Sequence, residues 1–240
     1  MELITKAVIM AGGKGTRLKP FTDMTPKAML PVNGIPLLHL MIEKLHSFGI
    51  THFYLSVNYL SKTICDYFGD GSKFDIKITY IKEPYSMGTA GSISMIDIKE
   101  PFLVMNGDIY TDLDFRDFFV EFRKSESSLF ICCREEELKS EYGVLKPNWG
   151  RVISWEEKLI YTHLINCGIY MFKPEVIKYI PKEHFFGMDH LAKKIIAVNK
   201  VDGDFVGHYL MDNKTNWIDM GSIEDYENLA KLLTEKKIEG

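Results

Sequence analysis

The sequence predicts an α/β fold on a mostly parallel central sheet, and three observations carry that prediction. Short β-branched apolar runs alternate with amphipathic helical stretches over the first half of the chain, the pattern of βαβ units. Past Leu129 helical intervals become few and strand-like stretches follow one another, which predicts antiparallel additions to the same sheet. The 240 residues, 46% hydrophobic and 26% charged, suit one large domain or two small ones. No linker, repeat or low-complexity tract divides them. One continuous domain over 1–240 is expected, with a first half to about residue 128 and a second from about 129.

Taken in order, Lys6 to Met10 is a strand that breaks into the glycine-rich loop AGGKGTRLKP. Leu37, Leu38, Met41, Leu45 and Phe48 have helical spacing, and Gly49 is placed as the stop. A strand at His52 to Val57, a helix around Ser61 to Phe68, a strand at Ile76 to Ile81, a helix after Thr89 and a strand at Phe102 to Met105 continue the alternation. Asp114 reads as the N-cap of a helix with Phe115, Phe118, Phe119 and Phe122 on one face. That aromatic stripe is expected in the core. The second half offers LFICCR, YGVLK, RVISWEEK and LINCGIYMF as strand-like stretches. Helices near Pro174 to Ile180 and Met188 to Val198 then precede a strand at Phe205 to Met211. Ser222 and Asp225 form an S-x-x-D capping box ahead of the last helix, which carries Tyr226, Leu229, Ala230 and Leu233.

The charge balance, 29 basic against 33 acidic residues for a net −4, argues against broad binding to nucleic acid, which needs clustered cations. No apolar run nears the roughly 18 residues of a membrane span. The opening MELITK carries an acid where a secretory signal would be basic, so a cytoplasmic protein without membrane or nucleic-acid partners is expected. Cys65, Cys132, Cys133 and Cys167 show no CxxC spacing, and the seven histidines no HExxH. The cysteines are read as packed free thiols.

Chemistry concentrates in the loop after the first strand. Gly12, Gly13 and Gly15 allow backbone N–H groups to converge on an anion. GKG lacks the Ser or Thr of a P-loop, and Leu18 replaces the last glycine of GxGxxG, so an ATPase and a dehydrogenase are disfavoured. Arg17 and Lys27 add two cations within a segment whose prolines (Pro20, Pro26, Pro31, Pro36) forbid a regular helix. From Ala7 to Leu38 this stretch resembles the GGxGTRLxPxTxxxPKxMLPVxxxP signature of sugar-1-phosphate nucleotidylyltransferases. GTAG at Gly88 to Gly91, NGD at Asn106 to Asp108, YGV at Tyr142 to Val144, EEK at Glu156 to Lys158, NCGIY at Asn166 to Tyr170 and WIDMG at Trp217 to Gly221 extend the resemblance over the chain. Its general look is that of compact bacterial guanylyltransferases acting on mannose, heptose or glucosamine 1-phosphate.

The resemblance implies a Rossmann-like three-layer fold with an antiparallel sugar-binding addition. It also implies attack of a sugar-1-phosphate oxygen on the α-phosphorus of a nucleoside triphosphate. Two polyanions must meet in that reaction, so positioning and charge neutralisation are its main needs. Arg17 is then expected on the β- and γ-phosphates, as its planar fork suits, and Lys27 at the α-phosphate. Asp108, after the strand FLVMN, sits where ligands of open sheets gather; with Asp219 it is the expected Mg²⁺ pair, since Mg²⁺ accepts one or two carboxylates plus phosphate oxygens and water. Ala11, Gly12, Gly13, Gly15, Thr16, Glu83, Gly88 and Thr89 are expected around the nucleotide. Gly143, Glu157, Lys158 and Asn166 are expected around the sugar, Lys158 on its phosphate, although Leu159 replaces the proline that commonly follows. GTAG resembles the guanylyltransferase version of its segment, and Glu83 can accept from N1–H and the 2-amino group of guanine, which favours GTP and GDP-sugar synthesis for surface glycans or nonulosonic acids. CTP, UTP and dTTP stay open, as does a metal-dependent glycosyltransferase using Asp112-Leu113-Asp114 as a DxD motif. A homodimer is the default assembly.

Overall fold

The computed structural model describes residues 3–239. In chain order the elements are β1 (Lys6–Met10), β2 (Pro31–Val32), β3 (Ile35–Pro36), α1 (Leu37–Ser47), β4 (His52–Val57), α2 (Ser61–Phe68) and β5 (Lys77–Lys82). There follow α3 (Gly88–Gly91), β6 (Phe102–Asn106), β7 (Ile109–Thr111), α4 (Phe115–Ser125), β8 (Leu129–Lys139), β9 (Val144–Asn148), β10 (Arg151–Glu156) and β11 (Ile160–Phe172). The chain ends with α5 (Met188–Asp202), β12 (Val206–Leu210), β13 (Trp217–Asp219) and α6 (Ile223–Glu239). Between β1 and β2 the proline-rich segment makes only short 3-10 turns, at Thr16–Leu18, Phe21–Asp23 and Lys27–Met29.

A seven-stranded sheet runs in the order β12-β8-β11-β6-β1-β4-β5. β1 lies parallel to β4 and β6, β4 to β5, and β12 to β8, whereas β11 is antiparallel to both β6 and β8. Both halves of the sequence therefore build one sheet. Its strands alternate between two apolar clusters: Ala7, Ile9, Leu103 and Met105 join the side chains of α1, α2 and α4, while Val8, Phe102 and Val104 join those of α3 and α5. Helices thus cover both faces, the three-layer α/β architecture.

Local signals explain most element ends. Asp114 accepts from the Arg116 N–H at 2.9 Å at the start of α4, and all four phenylalanines of its stripe are buried. The Ser222 N–H donates to Asp225 at 2.8 Å and the Asp225 N–H to Ser222 Oγ at 3.2 Å, the reciprocal box that starts α6. The stretch Pro174–Tyr179 is a 3-10 helix, because Pro181 forces Ile180 into extended backbone before a full α-helix can propagate. The helix expected after Thr89 is a single α-turn, α3, that gives way to a 3-10 turn at Ser92–Met95. Gly91 ends it against the His184 carbonyl, which a Cβ would meet at 2.8 Å.

One expectation about the second half is corrected. YGVLK and RVISWEEK do not join the central sheet; β9 and β10 pair only with each other. Beyond Arg134, β8 leaves the body of the protein with only the start of β11 as its partner, and its residues become exposed. The hairpin is carried on that arm. Its Lys146 and Glu156 form an ion pair at 2.6 Å, whereas Leu145, Val152, Ile153 and Trp155 are exposed.

Candidate active site

The loop after β1 is built to hold Lys27. Gly15 has φ +60°, and a Cβ there would lie 2.9 Å from Thr22 and 3.0 Å from the Lys27 side chain, so only glycine lets the two ends of the loop pack. Thr22 Oγ1 donates to the Gly15 carbonyl at 2.8 Å, and Tyr59 braces the next turn through the carbonyls of Thr22 and Asp23. Thr16 and Arg17 begin the exposed 3-10 turn that follows Gly15. On the far side of the cleft, β7 and β13 pair antiparallel with Asp219 opposite Ile109, and the Met220 N–H donates to the Asp108 carbonyl at 3.0 Å. That small ribbon brings two aspartates, distant in sequence, to one spot. Lys27 Nζ forms an ion pair with Asp108 and stands 3.7 Å from Asp219.

Burial pushes the Asp219 carboxyl up from its ordinary value; the charge of Asp108 adds to the shift, and Lys27 and Arg17 oppose it. A half-buried carboxylate whose proton affinity is raised further by a neighbouring carboxylate marks a site that wants cations. Asp108 and Asp219 are hard oxygen donors, and among the described residues no cluster of three or more His, Cys, Asp and Glu surrounds them. This donor set fits Mg²⁺, which keeps waters and takes phosphate oxygens, better than an all-protein zinc cage.

Next to this pair a cavity of about 220 Å³ is lined by Met10, Gly12, Gly13, Glu83, Ser86, Gly88, Thr89, Asn106 and Asp108. Five of the residues expected at the nucleotide thus share one wall with Asp108. Ala11 is buried beneath, its N–H donating to the Ser56 carbonyl at 2.8 Å. Gly12 approaches the Glu83 carboxylate so closely that a Cβ would stand 3.2 Å from it. Glu83 is fixed by Ser56 Oγ at 2.6 Å and by the Met87 N–H at 3.1 Å. Gly88 has φ +76°, and a Cβ there would meet the Phe186 carbonyl at 2.7 Å. Thr89 Oγ1 accepts from the Met188 N–H at 2.8 Å, tying this wall to α5.

The residues expected at the sugar fall into two places. Gly143 lies against Trp155 and Glu157, with room for no Cβ, and Glu157 accepts from Trp155 Nε1 at 2.6 Å. Lys158 follows in a turn with left-handed backbone, φ +50°. No hydrogen bond or ion pair among the described residues joins Glu157 or Lys158 to the Asp108–Asp219 pair. Asn166 is elsewhere, at a bulge in β11, where its Oδ1 accepts from the Gly168 N–H at 2.9 Å and its Nδ2 donates to Tyr170 at 2.6 Å. Gly168, φ +69°, in turn lets the Asn106 amide pack where a Cβ would be.

The DxD reading of Asp112-Leu113-Asp114 does not survive. Both Asp112 oxygens are occupied, by the Asn216 N–H at 2.7 Å, Asn216 Nδ2 at 2.6 Å and Lys236 at 2.5 Å, and Asp114 is a helix cap. Sequence reasoning missed Ser56, which fixes Glu83, and the place of Asn106 in the cavity wall. Asn106 sits inside the NGD landmark, whereas Ser56 is an ordinary strand residue with no local signal.

A family model described as nucleotidyl transferase matches residues 6–236. The UTP–glucose-1-phosphate uridylyltransferase of Synechocystis is 30% identical over 97% of this chain and 64% of its own length. The mannose-1-phosphate guanylyltransferase of Mycobacterium tuberculosis is 30% identical over 92% of this chain and 62% of its own length. The chain therefore spans somewhat less than two thirds of these relatives. The crystal structure of HddC from Yersinia pseudotuberculosis superposes with a TM-score of 0.70 at 28% identity, covering 96% of this chain and 100% of that one. A putative glucose-1-phosphate thymidylyltransferase from Bacillus anthracis superposes at 0.75 with 21% identity, over 95% and 94% of the two chains, a likeness of fold. With the glycine loop, the Lys27–aspartate centre and a match over nearly its whole length, the chain belongs to the nucleotidyl transferase family.

Proposed function

We propose that the protein transfers a nucleoside monophosphate from a nucleoside triphosphate to a sugar 1-phosphate, releasing pyrophosphate. The observation that carries this reading is Lys27 held between Asp108 and Asp219 at the end of the glycine-loop cavity. In the reaction a sugar-phosphate oxygen forms a bond to the α-phosphorus while the bond from that phosphorus to the oxygen of the β-phosphate breaks. The loop N–H groups of Gly12 and Gly13 and the Arg17 guanidinium bind the triphosphate. Lys27 neutralises charge at the α-phosphate, leaving its carboxylate partners to do so. Asp108 and Asp219 would hold Mg²⁺, which would supply further charge neutralisation. Glu157 accepts from sugar hydroxyls and Lys158 binds the sugar phosphate.

GTP is the proposed nucleotide, for GDP-sugar synthesis in the cytoplasm. Glu83 supports it, a carboxylate fixed in the cavity by Ser56 and Met87 with lone pairs to spare for a purine edge carrying two donors. A relative named for guanylyl transfer agrees. UTP is the second reading, favoured by the uridylyltransferase relative. The test is pyrophosphate release from each of the four triphosphates with Mg²⁺ and a panel of sugar 1-phosphates. Release with GTP is expected; release with UTP alone moves the assignment to the second reading, and none with any pair refutes the activity.

A further inference from the structure

Arg17 and Arg134 line one cavity of about 480 Å³, together with Asp219 and Trp217. Among the described residues no ion pair is found for either guanidinium, the charge of Arg17 acting on Asp219 from beyond ion-pair distance, whereas Lys62 and Lys146 sit within 2.6 Å of carboxylates. The segment Trp217 to Gly221 seats both. Trp217 Nε1 donates to the Cys167 carbonyl at 2.9 Å, which fixes the indole, and the Arg134 guanidinium lies over that ring, 5.6 Å from its centroid. At Gly221 a Cβ would stand 3.3 Å from Arg17 Nη2 and 3.5 Å from its Cζ, so the missing side chain is what leaves room for the guanidinium. Asp219 lies between the two seats. The register Arg134 to Ile165 places Arg134 and Glu136 on one face of the arm, the face that closes this cavity.

Two planar cations with no carboxylate within ion-pair distance, held beside Asp219, are arranged for a doubly bridging phosphate anion. Glu136 and Asp225 on the same wall disfavour an anion anywhere but between the guanidiniums. We propose that Arg134 is a second polyphosphate-binding residue: with Arg17 it holds the terminal phosphates of the nucleoside triphosphate and the pyrophosphate they become. The proposal rests on the nucleotidyl-transfer reading of the site.

The test is calorimetric titration of the intact protein and of Arg134→Gln and Arg134→Lys with magnesium pyrophosphate, alongside steady-state kinetics of nucleotide-sugar formation. Arg134→Gln is expected to weaken pyrophosphate binding tenfold or more and to raise the KM for the triphosphate. Arg134→Lys recovers part of the affinity. The KM for sugar 1-phosphate and the thermal midpoint stay as they were, which separates binding from a structural role. Unchanged pyrophosphate affinity in Arg134→Gln, or a raised KM for sugar 1-phosphate alone, overturns the proposal while the activity stands. Pyrophosphate binding lost in the variant, from a protein that makes no nucleotide sugar with any pair, upholds the anion site and refutes the activity instead.

Discussion

Replacing Lys27 by alanine tests the centre of the site. Its ammonium contacts Asp108 and stands 3.7 Å from Asp219. Opposite charges about 4 Å apart attract by about 4 kcal/mol at the effective dielectric of 20 found near protein surfaces. Solvent weakens the second contact, since the Asp219 side chain is 47% exposed. In the proposed reaction the same ammonium meets the α-phosphate, and removing a group that meets developing charge costs about 2.7 to 4 kcal/mol, or 10² to 10³ in rate. Lys27→Ala is thus expected to lower the single-turnover rate of pyrophosphate release by that factor. Fold stability should fall by less than about 3 kcal/mol, because the Lys27 side chain is only 11% exposed but the freed carboxylates of Asp108 and Asp219, 28% and 47% exposed, can take up water. The assay is rapid-quench pyrophosphate release at saturating substrates over a range of Mg²⁺, with urea unfolding in parallel. A rate within threefold of wild type, or a rate loss that tracks a loss of stability, refutes the assigned role.

Other consequences are equally concrete. Gly168→Ala should cost about 2 to 4 kcal/mol in urea unfolding, since φ is +69° and the new Cβ would collide with Asn106 and Ile109; a cost below about 1 kcal/mol contradicts the packing described. Asp112→Ala should destabilise by about 2 to 4 kcal/mol through its bonds to Asn216 and Lys236, and should leave turnover intact at low temperature; lost activity with unchanged stability would restore the DxD reading. Burial works against ionised Asp204, yet hydrogen bonds from Lys178, Ser128 and Tyr179 bring its carboxyl down from 3.8 to about 2. Because the folded value is the lower one, this group contributes about 2 kcal/mol above pH 4, lost as pH falls from about 4 to about 2. Asp204→Asn should flatten the stability–pH curve in that window, and an unchanged slope excludes the carboxylate as its source.

How much was legible beforehand varied with the range of the interaction concerned. The strands at Lys6–Met10 and His52–Val57, the Asp114 cap and the Ser222–Asp225 box were readable because each rests on neighbours within a turn or on one strand's own alternation. The placement of YGVLK and RVISWEEK was not, because period-2 patterning marks a strand without naming its partner. In this hairpin the apolar face looks outward rather than into a core. Asn166 belongs to a motif shared with the family, yet its amide holds the β11 bulge, a use visible only once that strand's register against β8 is known.

The chain by itself determined the α/β class, the glycine loop with its two cations, and which acidic residues stand at strand ends, since backbone freedom, charge and periodicity are local properties. Only the tertiary structure decided that Lys27 lies between Asp108 and Asp219, that Glu83 faces Gly12, and that Trp217 and Gly221 seat Arg134 and Arg17 around one cavity. Those contacts join segments far apart in the chain. They exist because sheet order and the β7–β13 ribbon bring strand ends together, and cooperative packing, unlike local propensity, leaves no mark at any single position.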